Sequence, residues 1–130
     1  MTLRENGDVL VYLDDMLENA RRAQKFSAGR SFEDLEADDA YQFSVLHALQ
    51  IIGEAARKVP AGFRAHHQHI PWPLIVGLRH VVVHDYGDIR FDKIELVLRE
   101  EIPKLIPQLE ALISLVESKP ETPLPPEPEA

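Results

Sequence analysis

Along the first third of the chain, apolar side chains recur at Val9, Tyr12, Leu13, Met16, Leu17, Ala20 and Phe26, which predicts an amphipathic helix over residues 8–26. Arg21, Arg22 and Lys25 gather near its end, where cations suit the negative pole of the helix dipole. Gly29 breaks the pattern, and Ser31-Phe32-Glu33-Asp34 resembles the start of a short helix or turn capped by Ser31. A second long helix is predicted over 38–59, with Ala40, Phe43, Leu46, Leu49 or Gln50, Ile51, Gly53 and Ala56 on its broad apolar face and Pro60 ending it. Its small residues Gly53, Ala55 and Ala56 permit close approach of a neighbouring helix.

Residues 60–71 lose all periodicity, carry Pro and Gly, and read as a loop. Pro73 suits the first turn of a helix over 72–86, which is apolar nearly all round apart from Arg79, His80 and His84 and is expected to be the most buried. The run Val81-Val82-Val83 also suits a buried strand, but no other segment offers a partner. A last helix over 91–117 carries Ile94, Val97, Leu98, Ile102, Leu105, Leu109, Leu112, Ile113 and Val116, and Pro103 and Pro107 predict a kink or break in it. The expected fold is all-α, an up-and-down bundle of four to five helices over 1–117. Residues 118–130, rich in Pro and Glu, cannot form a core and are expected to be a disordered tail.

Composition narrows the function. At 130 residues and 45% hydrophobic the chain suits one domain. The absence of cysteine removes disulfides and thiolate metal sites and fits a reducing cytoplasm. No apolar run approaches the roughly 20 residues that cross a bilayer, so no membrane role is expected. A net charge of −8 argues against a general basic surface for nucleic acid, so contact with RNA must be local.

The candidate chemistry lies in Gly77-Leu78-Arg79-His80-Val81-Val82-Val83-His84-Asp85-Tyr86-Gly87, where polar groups interrupt a core-grade helix. Arg79 and Tyr86 share a face, as do His80 and His84, whereas Arg79 and His84 point about 140° apart on an ideal helix. A second copy of the helix across a two-fold axis could close that angle around one cleft.

Arg79-x4-His84-x-Tyr86 resembles the R-x4-H-x-Y signature of HEPN proteins of the HepT family. Ile52-Gly53-Glu54-Ala55-Ala56, Ile70-Pro71-Trp72 and Gly77-Leu78-Arg79 also match that family, and the resemblance as a whole extends over roughly residues 8–115. Arg64-x4-His69 repeats the bare spacing, but it lies in the Pro/Gly loop with Pro71 where the tyrosine belongs.

The resemblance implies cleavage of RNA, whether tRNA or mRNA, by a homodimeric toxin of a toxin–antitoxin pair, without metal or cofactor. His84 would act as general acid/base at the ribose 2′-OH. Arg79 would meet charge developing on the phosphate oxygens. A 2′,3′-cyclic phosphate is the expected product, and DNA would be inert. His80 stands where the family often has Asn, so its support is either phosphate orientation or a second proton transfer. Tyr86 is implied to be the residue AMPylated by an MntA-like nucleotidyltransferase antitoxin, which would block the cleft. A confined basic patch is expected from Arg79, His80 and His84 with Arg57, Lys58, Arg64 and Arg90.

Blander readings stand beside these. Arg79, His80 and His84 would also serve as a structural network, with Arg79 paired to Glu54 or Asp85. Tyr86 would serve as a core-edge aromatic. His66, His67 and His69 are weak support for zinc and fit a solvated loop better, one that could still touch RNA phosphates. The acidic run Glu33, Asp34, Glu36, Asp38 and Asp39 reads as solvated surface. At the level of function, the alternatives are a non-catalytic partner or substrate of a nucleotidyltransferase, and a scaffold whose polar residues fix dimer register.

Overall fold

The first apolar period folds as α1 (Glu5–Ser27), whose Val9, Leu13, Met16, Leu17, Ala20 and Ala23 are buried. A computed structural model describes residues 5–82 and 89–118, and every described element is helical. The expected positions of His84 and Tyr86, and the tail from 119 onward, lie outside the described residues.

Gly29, at φ 72°, lets the chain turn back after α1 in a conformation most side chains avoid. The expected cap follows: Ser31 accepts from the Asp34 N–H while the Asp34 carboxylate accepts from the Ser31 N–H, a full capping box opening α2 (Phe32–Ala37). Asp38 then caps α3 (Asp39–Lys58) by accepting from the Tyr41 N–H at 3.1 Å. Arg30 reaches across this junction, bonding Asp38 at 2.6 Å and lying 4.4 Å over the Tyr41 ring.

These contacts hold two carboxylates below the ordinary aspartate range. Asp38 is lowered chiefly by the Tyr41 N–H and next by Arg30. Asp34 is lowered chiefly by the Ser31 N–H. A depressed folded pKa contributes stability that is present above the unfolded value of 3.8 and is lost as pH falls through the folded value. Asp38→Asn is therefore expected to lower Tm at neutral pH and to lessen its decline on acidification. Thermal melts from pH 7 to pH 3 check this; parallel curves for wild type and variant contradict it.

α1 packs along α3 on one side and α8 (Ile102–Ser118) on the other, so α1 and α3 form the centre of the bundle. The face that α3 buries is Tyr41, Val45, Ala48, Leu49, Ile52, Gly53, Ala55 and Ala56. Of the expected face, Leu49, Gly53 and Ala56 are buried and Leu46 and Ile51 partly so, but Ala40 and Phe43 are exposed, Phe43 by 75%, so the buried stripe is shifted from the one expected. Both faces satisfy a helical period, and burying Val45, Leu49 and Ile52 removes more continuous apolar surface.

Two further expectations are corrected. Within the region read as loop, Pro60 leads into a short helix, α4 (Ala61–Ala65). The single helix expected over 72–86 is divided at Gly77 into α5 (Trp72–Val76) and α6 (Leu78–Val82). At the break the Gly77 N–H donates to the Pro73 carbonyl at 3.0 Å, and the Gly77 carbonyl accepts from the His80 N–H, three residues on, at 2.9 Å. A Cβ at Gly77 would sit 3.2 Å from the Pro73 carbonyl oxygen and 3.3 Å from that of Leu74, so a side chain fits poorly in this tightened turn. Among the residues of this segment whose burial is described, Trp72, Ile75 and Leu78 are buried and Leu74 is 44% exposed.

Of the kink or break expected at Pro103 and Pro107, no break occurs at Pro107, which lies inside the continuous α8, and the irregularity is a widened turn just ahead of Pro103. α7 (Phe91–Leu96) runs into a π-helical turn (Val97–Glu101) and then α8, with the Ile102 N–H donating to the Val97 carbonyl five residues back. Pro103 has no N–H, and its ring would clash with the carbonyl four residues earlier in a regular helix, so widening just before it relieves both problems. All nine apolar positions expected to be buried on this last limb are buried. From the π turn, Arg99 donates to the Ser27 carbonyl at 2.9 Å and to the Arg30 carbonyl, tying the end of α1 to the last limb. Counted as limbs, the described residues make a bundle of α1, α3, the α5–α6 pair and the α7–α8 helix, with α2 and α4 as connectors.

Candidate active site

The segments bearing candidate chemistry meet where α6 crosses the second half of α3. Trp72 is 4% exposed and its indole N–H donates to the His67 carbonyl at 3.0 Å, while Ile70 is 1% exposed. Ile70-Pro71-Trp72 is thus an anchor that fixes the start of α5. Gly77 turns the chain, Leu78 returns to the core, and Arg79 emerges against α3.

Gly53 makes that approach possible. A Cβ there would lie 3.0 Å from the Arg79 backbone nitrogen, 3.3 Å from the Ile75 carbonyl oxygen and 3.4 Å from the Arg79 Cβ. The close crossing brings Arg79 Nε to 3.2 Å from Glu54 Oε1, with each side chain 35% exposed. The second carboxylate oxygen accepts from Arg57 Nη2, also at 3.2 Å. The Arg57 hydrogen bond leads in holding the Glu54 carboxyl below its ordinary range; partial burial opposes the shift, and the Arg79 charge adds to it. Glu54 therefore carries its charge between two guanidinium groups.

Of the candidate residues, Arg79 and Arg57 are brought together through Glu54, and His80 is exposed one residue along α6. Glu54 entered the sequence reading only as a structural partner of Arg79. Its helical neighbour Gly53, together with the matching Ile52-Gly53-Glu54-Ala55-Ala56 segment, was the available signal for a larger role. Lys58 is exposed beside Arg57, while Arg90 donates to Asp92 at 3.0 and 3.2 Å. The loop histidines do not converge: His66 Nδ1 bonds the Gly62 carbonyl at 2.8 Å, and His67 stacks on Phe63 and meets His69 edge-on. Among the described residues no helix is long and apolar enough to cross a membrane.

Comparison with known families extends this geometry. The model of the family described as "Ribonuclease HepT-like" matches residues 16–112, which take in every segment of the site. The chain belongs to the HepT-like ribonuclease family. "Probable ribonuclease HepT" of Thermococcus cleftensis is 34% identical to this HepT-like chain over 78% of its length and 92% of the relative's. "Putative RNase MJ1380" of Methanocaldococcus jannaschii is 31% identical over 79% of the chain and 94% of the relative. No solved structure matches. The all-α architecture expected from the helical periods is the architecture of the described residues.

Proposed function

We propose that this HepT-like protein is a metal-independent endoribonuclease, the toxin of a toxin–antitoxin pair. The observation that carries the reading is the half-exposed Arg79 guanidinium, seated against α3 and engaged at Nε by one carboxylate oxygen. In that pose the two Nη groups can meet a phosphate, and charge that builds on its equatorial oxygens as the 2′-oxygen attacks is met by fixed donors. His84, five residues further on, takes the 2′-OH proton or delivers one to the departing 5′-oxygen. His80 supports the phosphate, and AMP placed on Tyr86 by a nucleotidyltransferase silences the cleft.

The test is incubation of purified protein with tRNA and mRNA in EDTA. Cleavage to 2′,3′-cyclic phosphate ends, no action on DNA, and loss of cleavage in His84→Ala by a factor of about 10²–10⁴ are expected. No cleavage by wild type, or equal cleavage by the variant, defeats the reading. Intact mass after co-expression with a nucleotidyltransferase, with Tyr86→Phe as control, tests the AMP step.

The same reading makes the active species a homodimer, with both copies of Arg79 and His84 lining one cleft. Its support is the outward line of α3, where Phe43, His47 and Gln50 lead at helical spacing to Glu54. Phe43 and the 37% exposed Phe26 flank a groove with Asn19, Arg22, Ser44 and His47. Phe43→Glu is expected to halve the molecular mass measured by light scattering and to abolish cleavage. A wild-type monomer, or a dimer untouched by this substitution, contradicts the placement.

A further inference from the structure

We infer that Glu54 is a positioning residue for Arg79: its carboxylate fixes the guanidinium by the Nε edge so that the Nη edge is presented, already oriented, to a phosphodiester. The inference rests on the ribonuclease reading above and adds a residue that the R-x4-H signature does not contain.

Three observations converge on it. The first is which atom lies against the carboxylate: the charge contact is to Nε at 3.2 Å, an ion pair without an aligned Nε–H hydrogen bond, so the edge suited to paired donation toward two phosphate oxygens is not the one nearest Glu54. The second is how the carboxylate itself is held. Arg57 takes its other oxygen at 3.2 Å from one turn further along α3, so Glu54 is steadied from its own helix while it steadies Arg79 on another. The third is the crossing distance. Gly53 lets the Arg79 backbone approach so closely that any Cβ there would meet the Arg79 nitrogen at 3.0 Å. A glycine at the crossing and a carboxylate one residue later set, respectively, how near the arginine lies and which way it points.

The energetic logic separates two effects of losing the carboxylate. An untethered arginine has many rotamers, so orientation must be achieved during the reaction, and the chemical step slows. The negative charge beside the phosphate site also disappears, so binding of the RNA ground state is unchanged or tighter. A residue that merely held the bundle together would lower Tm and the active fraction without dividing the kinetics in this way.

Single-turnover cleavage by Glu54→Gln in EDTA is expected to be slower by about tenfold or more at saturating enzyme, with RNA affinity equal to or above wild type. Glu54→Asp should recover part of the rate, since it restores charge at shorter reach. A rate within twofold of wild type, or rate and affinity falling together, overturns the inference. A second measurement does not need activity. In ¹H–¹⁵N spectra of arginine side chains, an Arg79 Nε–H signal displaced from that of a free arginine by the nearby carboxylate is expected in wild type and should move back toward the free position in Glu54→Gln. If that signal is absent or indifferent to Glu54, the positioning role fails whether or not RNA is cut. If the signal behaves as expected while wild type cuts no RNA, the ribonuclease reading fails, Glu54 still orders Arg79, and the claim that this serves phosphodiester chemistry is lost.

Discussion

Arg79→Ala is expected to slow RNA cleavage by about 100- to 1,000-fold at saturating RNA while barely moving Tm. The kinetic figure is the usual cost of deleting one preorganised donor to a developing oxyanion. The small thermal effect follows from exposure: an ion pair whose two side chains are each 35% exposed is screened by water, so its removal costs the fold little. Arg79→Lys should recover binding better than rate, because an ammonium keeps the charge and loses the planar pair of donors. Rate constants from single-turnover gels and melts of the same preparations decide the matter. A large fall in Tm with Arg79→Ala would make the residue a piece of the scaffold, and the blander reading would replace the catalytic one.

Gly53→Ala should damage the same site without touching a charged group. The added methyl meets backbone on α6 rather than a yielding side-chain tip, so α3 and α6 must separate or twist. Overpacking of this kind costs about 1–3 kcal/mol, which for a domain of this size is a fall in Tm of several degrees. Because α6 carries Arg79, cleavage should fall as well. Gly62→Ala is the matched control: nothing lies within 4 Å of a Cβ at that position in α4, and the change should leave stability unaltered or improved. Equal melting temperatures for wild type and Gly53→Ala would contradict the close crossing itself.

How much of this could be read from residues alone varies along the chain in an instructive way. α3 was legible to within a residue at each end because Asp38 caps one end and Pro60 follows the other. The Ser31–Asp34 box was legible because capping is local chemistry. The break at Gly77 was not, since Leu74, Ile75 and Leu78 carry an apolar period straight through the glycine, and only the carbonyls of Pro73 and Leu74 show why the chain turns there. α4 was hidden because five residues with Phe63 as their one large apolar side chain leave no period to detect. The exposure of Phe43 was hidden for the opposite reason, as α3 is apolar enough to offer two faces and tertiary packing chose between them. At the site, the sequence pointed to Arg79. It also offered Glu54 or Asp85 as the arginine's ion-pair partner, and the pair observed is the one to Glu54, on another helix 25 positions earlier.

The π turn ahead of Pro103 has a bearing on how this protein tolerates change in length. Ile94, Leu98 and Ile102 are all buried, yet eight residues of regular helix overshoot two full turns by about 80°. The surplus residue in the wide turn absorbs that overshoot and lets Leu105, Leu109 and Leu112 continue on the inward side. Removing one residue between 97 and 101 would restore a regular helix in which the present Ile94 and Ile102 stand seven residues apart, about 20° short of two full turns, so the leucines downstream would still face inward. Loss of that one residue should therefore leave the inward faces in register, whereas loss of a second would turn them by about 100° and carry the leucines out of the core.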